Sequence, residues 1–124
     1  MTMADRRNYW RGTRWRELVH LVMRAEGVPV EMRAPTKRVS DAFADDRPAT
    51  ELTGVPGFAI TTRHEFKQDW SAALDSAVFA ARSDAVPYAA AVQFRAGRET
   101  EESFVVMTLK DFCGILRERQ KGAS

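Results

Sequence analysis

A chain of 124 residues and 14.0 kDa has the size of one domain able to bury a core of its own. Hydrophobic residues at 44% and charged residues at 29% exclude a disordered composition. No run of about 18 apolar residues spans a bilayer, and the opening MTMADRRNYWRG lacks a signal peptide's apolar stretch, so a cytoplasmic protein is expected. The net charge of +2 conceals an asymmetry. Residues 1–38 hold nine Lys/Arg against four Asp/Glu, a surplus of five, which leaves a deficit of three in the remainder. A basic end of this kind suits phosphate or an acidic partner surface, and equally a solvated arginine-rich face.

A basic lead-in over 1–12 precedes the first regular element. From Thr13 to Glu26, Trp15, Leu18, Val19, Val22 and Met23 recur at spacings of three and four, and Gly27 follows as a stop, which predicts an amphipathic helix. VPVEMR alternates apolar and charged residues as a half-buried strand does. Residues 34–49, with two prolines and three aspartates, read as a long mobile loop. Leu52 to Arg63 reads as two extended pieces joined at Pro56-Gly57, with Phe58, Ile60 and Thr62 on one face and Ala59, Thr61 and Arg63 on the other. Trp70, Ala73, Leu74, Ala77, Val78 and Ala81 form a helical stripe over 69–82. Apolar strands follow at Val86–Arg95 and Ser103–Leu109 around a polar AGRETEE turn, then a short helix over Lys110–Arg119 and a loose tail at 120–124. The order α-β-β-β-α-β-β-α describes a single α/β (α+β) domain over 1–124, with helices packed on a mixed sheet of about five strands. Cys113, the only cysteine, reads as a small core residue beside Phe112, Ile115 and Leu116. Trp15 and Trp70 lie on apolar stripes and read as core, whereas Trp10 sits in the arginine-rich lead-in as a candidate exposed contact. His20 and His64 have no metal-site spacing around them.

With RGTRW opening the first helix, GVPGFAI at the central turn and VVMTLKDF near the end, this order resembles the small Holliday junction resolvase-like members of the PD-(D/E)XK nuclease superfamily, frequent in bacteriophages and their actinobacterial hosts. The resemblance implies a restriction-endonuclease-like fold, magnesium as cofactor, duplex or branched DNA as partner, and a homodimer matched to a two-fold junction. It also implies an acid before the central turn, an acid-x-Lys on the next strand and a glutamate on the first helix. Carried over, the first acid falls on Glu51, the strand acid on Thr61, the lysine on Arg63, and the helix glutamate on Arg16, with Glu17 next to it. A hard divalent cation needs several anionic oxygens, and an arginine supplies none.

The exchange removes negative charge from a groove that relatives use for DNA. Arg14, Arg16, Arg33, Lys37, Arg38, Thr61, Arg63 and His64 are therefore the candidate DNA contacts, and Glu51 and Glu17 are the remnants of a catalytic cluster. Threonines are also favoured in any strand. Three functions stay open: a catalytically degenerate nuclease fold that binds DNA and expects no cofactor; an active magnesium-dependent endonuclease using Glu51, Glu17 and Glu65; and a phage-type regulator binding a host protein. The alanine-rich AAAVQF strand is a candidate dimer surface.

Overall fold

The computed structural model describes residues 3–33 and 51–122, with side chains from residue 12 onward. The expected loop at 34–49, with Lys37 and Arg38, and the side chain of Trp10 lie outside the described residues.

The first helix, α1 (Met3–Ala25), starts well before Thr13, so the lead-in is helical from its third residue. It lays Trp15 and Val19, each 3% exposed, onto the sheet, with Met23 packed beside them. Its end is set by Gly27 at φ +88°, where the Val28 N–H reaches the Met23 carbonyl at 2.9 Å and the Gly27 N–H reaches Arg24 at 3.0 Å. Glycine takes that left-handed position at no steric cost, and the two bonds satisfy carbonyls the helix leaves open.

Five strands follow in spatial order β1 (Glu31–Met32), β2 (Leu52–Thr53), β3 (Phe58–Arg63), β4 (Tyr88–Gln93) and β5 (Phe104–Val106). Only the β3–β4 pair is parallel, running from Phe58↔Tyr88 to Arg63↔Gln93. That pairing needs a crossover, which α2 (Trp70–Ser83) supplies. The expected mixed α/β class, five-stranded sheet and element order are all present. A single 3₁₀ turn at Thr100–Glu102 precedes β5, and α3 (Leu109–Gly122) closes the chain. In the GVPG turn, a Cβ on Gly54 would lie 2.5 Å from the Pro29 carbonyl oxygen, so the close approach of the β2 end to the segment after α1 requires glycine there.

The sheet is covered on both faces. On one, Trp15 and Val19 of α1 meet Val30, Leu52, Ile60 and Val92. On the other, α2 buries Ala73, Ala77, Ala80 and Ala81 against Ala59, Ala89 and Ala91, an interface of methyl groups that lets helix and sheet approach closely. Asp69 caps α2 by accepting from the Ala72 N–H at 3.0 Å.

Three expectations change. Trp70 is 41% exposed: it opens α2 above the edge strand, and its ring meets that of Phe104 edge-on, with centroids 4.8 Å apart. Cys113 is exposed, because α3 packs through Gly114, whose place against the Tyr88 ring leaves no room for a Cβ. Leu109, Phe112, Cys113 and Leu116 thus form a stripe turned to solvent. The AAAVQF strand is no dimer surface, since β4 runs between β3 and β5 and is buried along nearly its whole length.

Candidate nucleic-acid interface

Alternation along β3 decides which polar residues meet. Phe58 and Ile60 pack on the α1 side, and Thr62 follows them there. Ala59 belongs to the α2 side, with Thr61 and Arg63 in step. Helix α1 carries Arg16 one residue beyond the buried Trp15, over the end of β3. There the Glu51 carboxylate Oε2 accepts twice: from Arg16 Nε at 2.8 Å and from the Thr62 hydroxyl at 2.6 Å. The Arg16 and Glu51 side chains are 38% and 25% exposed, so the triad sits at the rim of the α1–sheet packing rather than in the core.

The expected grouping of Thr61 and Arg63 with Arg16 and Glu51 is therefore corrected to Thr62. Thr61 is buried at 3% exposure, and its hydroxyl has no hydrogen-bond partner among the described residues. Arg63 is engaged behind the sheet, donating to Glu65 at 2.8 Å, the Ser76 hydroxyl at 2.6 Å and the Ala72 carbonyl at 3.3 Å. Arg63 acts there as a clamp between β3 and α2. The Arg33 backbone N–H bonds the Glu51 carbonyl at 2.9 Å, but its guanidinium turns to Asp84 at 3.3 Å beside the GVPG turn and not to the Glu51 carboxylate. Glu17 is exposed on α1.

Past Thr62, the same side of the sheet continues into a cluster of rings. His64 lies on Phe94 with centroids 4.1 Å apart at 32°, and Trp15 meets Phe94 edge-on at 5.4 Å. Phe66 touches both His64 and Phe94 at 5.8 and 5.5 Å yet is 69% exposed. Beside these rings opens a recess of about 170 Å³ lined by Arg14, Trp15, His64, Phe94, Arg95 and Arg98 among others. Arg95 stands over the Phe104 ring at 4.8 Å and donates to the Glu102 carbonyl at 3.3 Å; Arg98 pairs loosely with the Glu102 carboxylate at 3.7 Å.

Of the residues singled out from sequence, the fold brings Arg14, Arg16, Glu51 and His64 to one region and directs the side chains of Arg33, Thr61 and Arg63 elsewhere. Arg95, Arg98, Phe66 and Phe94 are additions that sequence reading missed. Phe94 and Arg95 read as the end of an apolar strand and Arg98 as part of a polar turn, and no spacing links them to a helix some 80 positions earlier in the chain.

A magnesium site does not fit this donor set. Its one central carboxylate is already shared by a guanidinium and a hydroxyl, and Glu65 is committed to Arg63. No group of three or more His, Cys, Asp or Glu among the described residues could hold a metal ion, which covers His20 and His64. What the arrangement offers is anion binding: guanidinium groups for phosphate oxygens, beside π-faces and ring edges. A second cavity of about 290 Å³, between α1 and the sheet and lined by Val19, Met23, Phe58, Ile60 and Val92 among others, extends the core and lacks convergent charge. No helix among the described residues is long and apolar enough to cross a membrane. The chain matches no family model, no curated protein and no solved structure.

Proposed function

We propose that this chain is a cytoplasmic, catalytically degenerate nuclease-fold protein of the PD-(D/E)XK kind that binds duplex or branched DNA without cutting it. The observation that carries the reading is the Arg16–Glu51–Thr62 triad. In the resolvase-like arrangement, the first helix and the strand before the turn each present a carboxylate to a divalent cation. Here a guanidinium on α1 meets Glu51 directly, so the chain's own cation neutralises the remaining acid. Arg14 and Arg98 then stand beside a site without net negative charge, where phosphates are attracted rather than repelled.

Fluorescence anisotropy with a labelled duplex tests this. If Arg14 and Arg98 each neutralise one phosphate, log Kd should change with log salt with a slope of about 1.8, weakening binding roughly 12-fold between 50 and 200 mM salt. Arg14→Ala should lower the slope by about one. Absence of low-salt binding, or a slope unchanged in both Arg14→Ala and Arg98→Ala, overturns the proposal.

A second reading, a module that binds a host protein, is favoured by α3. Its two carboxylates bond to the body of the domain, Asp111 accepting from the Ala89 N–H at 3.1 Å and Glu118 from the Tyr88 hydroxyl at 2.8 Å. The exposed stripe of Leu109, Phe112 and Leu116 therefore lies among Lys110, Arg117 and Arg119. An acidic amphipathic partner would complement it. Co-purification of such a partner, lost in Phe112→Asp and accompanied by no DNA affinity, would select this reading over the first.

A further inference from the structure

We infer that the recess beside His64 and Phe94 takes one unpaired base, so that the preferred ligand is single-stranded nucleic acid, or the unpaired portion of a branched one, rather than continuous duplex. The inference rests on the nucleic-acid reading above and deepens it.

Phosphate contacts alone give the rings no role. Yet Phe66 is 69% exposed while resting edge-on against His64 and Phe94, so it is positioned without being buried. An exposed phenyl ring held by two neighbours is a platform onto which a planar base can stack, and stacking tolerates any base because each has a π-face. The recess that its two neighbours His64 and Phe94 line, about 170 Å³, is smaller than the roughly 300–1,000 Å³ that houses a drug-sized ligand. It suits one planar ring and not a whole nucleotide.

Its walls match that occupant. Trp15, 3% exposed, closes the recess from the core side, and His64 stacks on Phe94 to form a continuous aromatic wall. Arg95, fixed over Phe104 and tied to the Glu102 carbonyl, is held at the side. Arg14 and Arg98 line the same recess, where the sugar-phosphate chain on either side of a seated base would run. Bases of intact duplex are paired and stacked inside the helix and cannot enter without being extruded, at the cost of their pairing and stacking. A strand already unpaired incurs no such cost.

The experiment measures anisotropy with the full chain at low salt, comparing a labelled oligothymidylate with a blunt duplex of the same length. The oligothymidylate should bind about tenfold tighter, the range one stacked base supplies. Phe66→Ala should abolish that preference, and Phe66→Trp, which keeps a stacking face, should retain it. Because Phe66 is largely exposed, the melting temperature of Phe66→Ala should stay near the parent's. Duplex bound as tightly as oligothymidylate, or a preference that survives Phe66→Ala, overturns the inference while leaving the DNA-binding reading in place. Binding of neither ligand overturns both.

Discussion

Removing Glu51 has two computable consequences that pull in opposite directions. Its Oε2 holds Arg16 Nε at 2.8 Å and the Thr62 hydroxyl at 2.6 Å, with the Arg16 and Glu51 side chains 38% and 25% exposed. Such exposure discounts the ion pair to about 0.5 kcal/mol, since water and salt screen it. The hydroxyl–carboxylate bond contributes about 1–1.5 kcal/mol. Glu51→Ala should therefore cost about 1.5–2 kcal/mol and lower the melting temperature by about 5–7 °C for a domain of this size. Glu51→Gln keeps an acceptor for Thr62 and should cost only about 0.5 kcal/mol. Binding moves the other way. With its carboxylate gone, Arg16 becomes available to phosphate, and the salt slope of duplex binding should steepen by about 0.9. Calorimetry and anisotropy on the same preparations read both numbers. A loss above about 4 kcal/mol would mean Glu51 anchors a buried network instead of a half-exposed pair. A DNA affinity that collapses in the folded variant would refute the claim that Arg16 replaces a metal.

Three further outcomes follow from the fold. Gly54→Ala should destabilise by about 3 kcal/mol, combining left-handed strain with a Cβ placed 2.5 Å from the Pro29 oxygen, whereas Gly27→Ala, with open space around it, should cost about 1–2 kcal/mol in a urea titration. Tyr88, whose hydroxyl donates to Glu118, has its pKa raised above the ordinary 10.0, first by that hydrogen bond. The stabilisation from this bond is complete below pH 10 and is lost as pH rises through the raised value. Ultraviolet titration should thus find Tyr88 ionising above the ordinary value and returning towards it in Glu118→Gln. Cys113, exposed on α3, should react with a thiol reagent in native buffer as fast as in denaturant, and a thiol that reacts only on unfolding would contradict its placement.

The parts of this fold that could be read in the sequence are those set by local periodicity. Ala73, Ala77 and Ala81 mark the α2 stripe at helical spacing, and GVPG marks a turn whose glycines both take positive φ. Alternation in FAITTR separates two faces correctly. Which face α1 covers is a tertiary fact, settled by Trp15 reaching Ile60 and Val92, and that choice moved the polar partner of Glu51 from Thr61 to Thr62. Arg63, which register alone places in the groove, is drawn to the α2 side by Ser76 and the Ala72 carbonyl. Amphipathicity misled at α3 for a related reason. Its strongest apolar stripe points outward, because the helix docks through Gly114 and through the two carboxylates that bond to the Ala89 N–H and the Tyr88 hydroxyl. A glycine contact of that kind leaves no hydrophobic signature. The recess draws on α1, the end of β3 and the turn after β4, and such convergence is invisible until the strand order is known.

The most direct test of the central claim is binding and cleavage of a four-way junction and a plain duplex, each measured in Mg²⁺, in Mn²⁺ and in a chelator. If Arg16 has taken the place of a metal ion, binding is the same in all three at matched ionic strength and neither DNA is cut. Cleavage that requires the divalent ion and disappears in Glu51→Ala would contradict the account and make this chain an endonuclease.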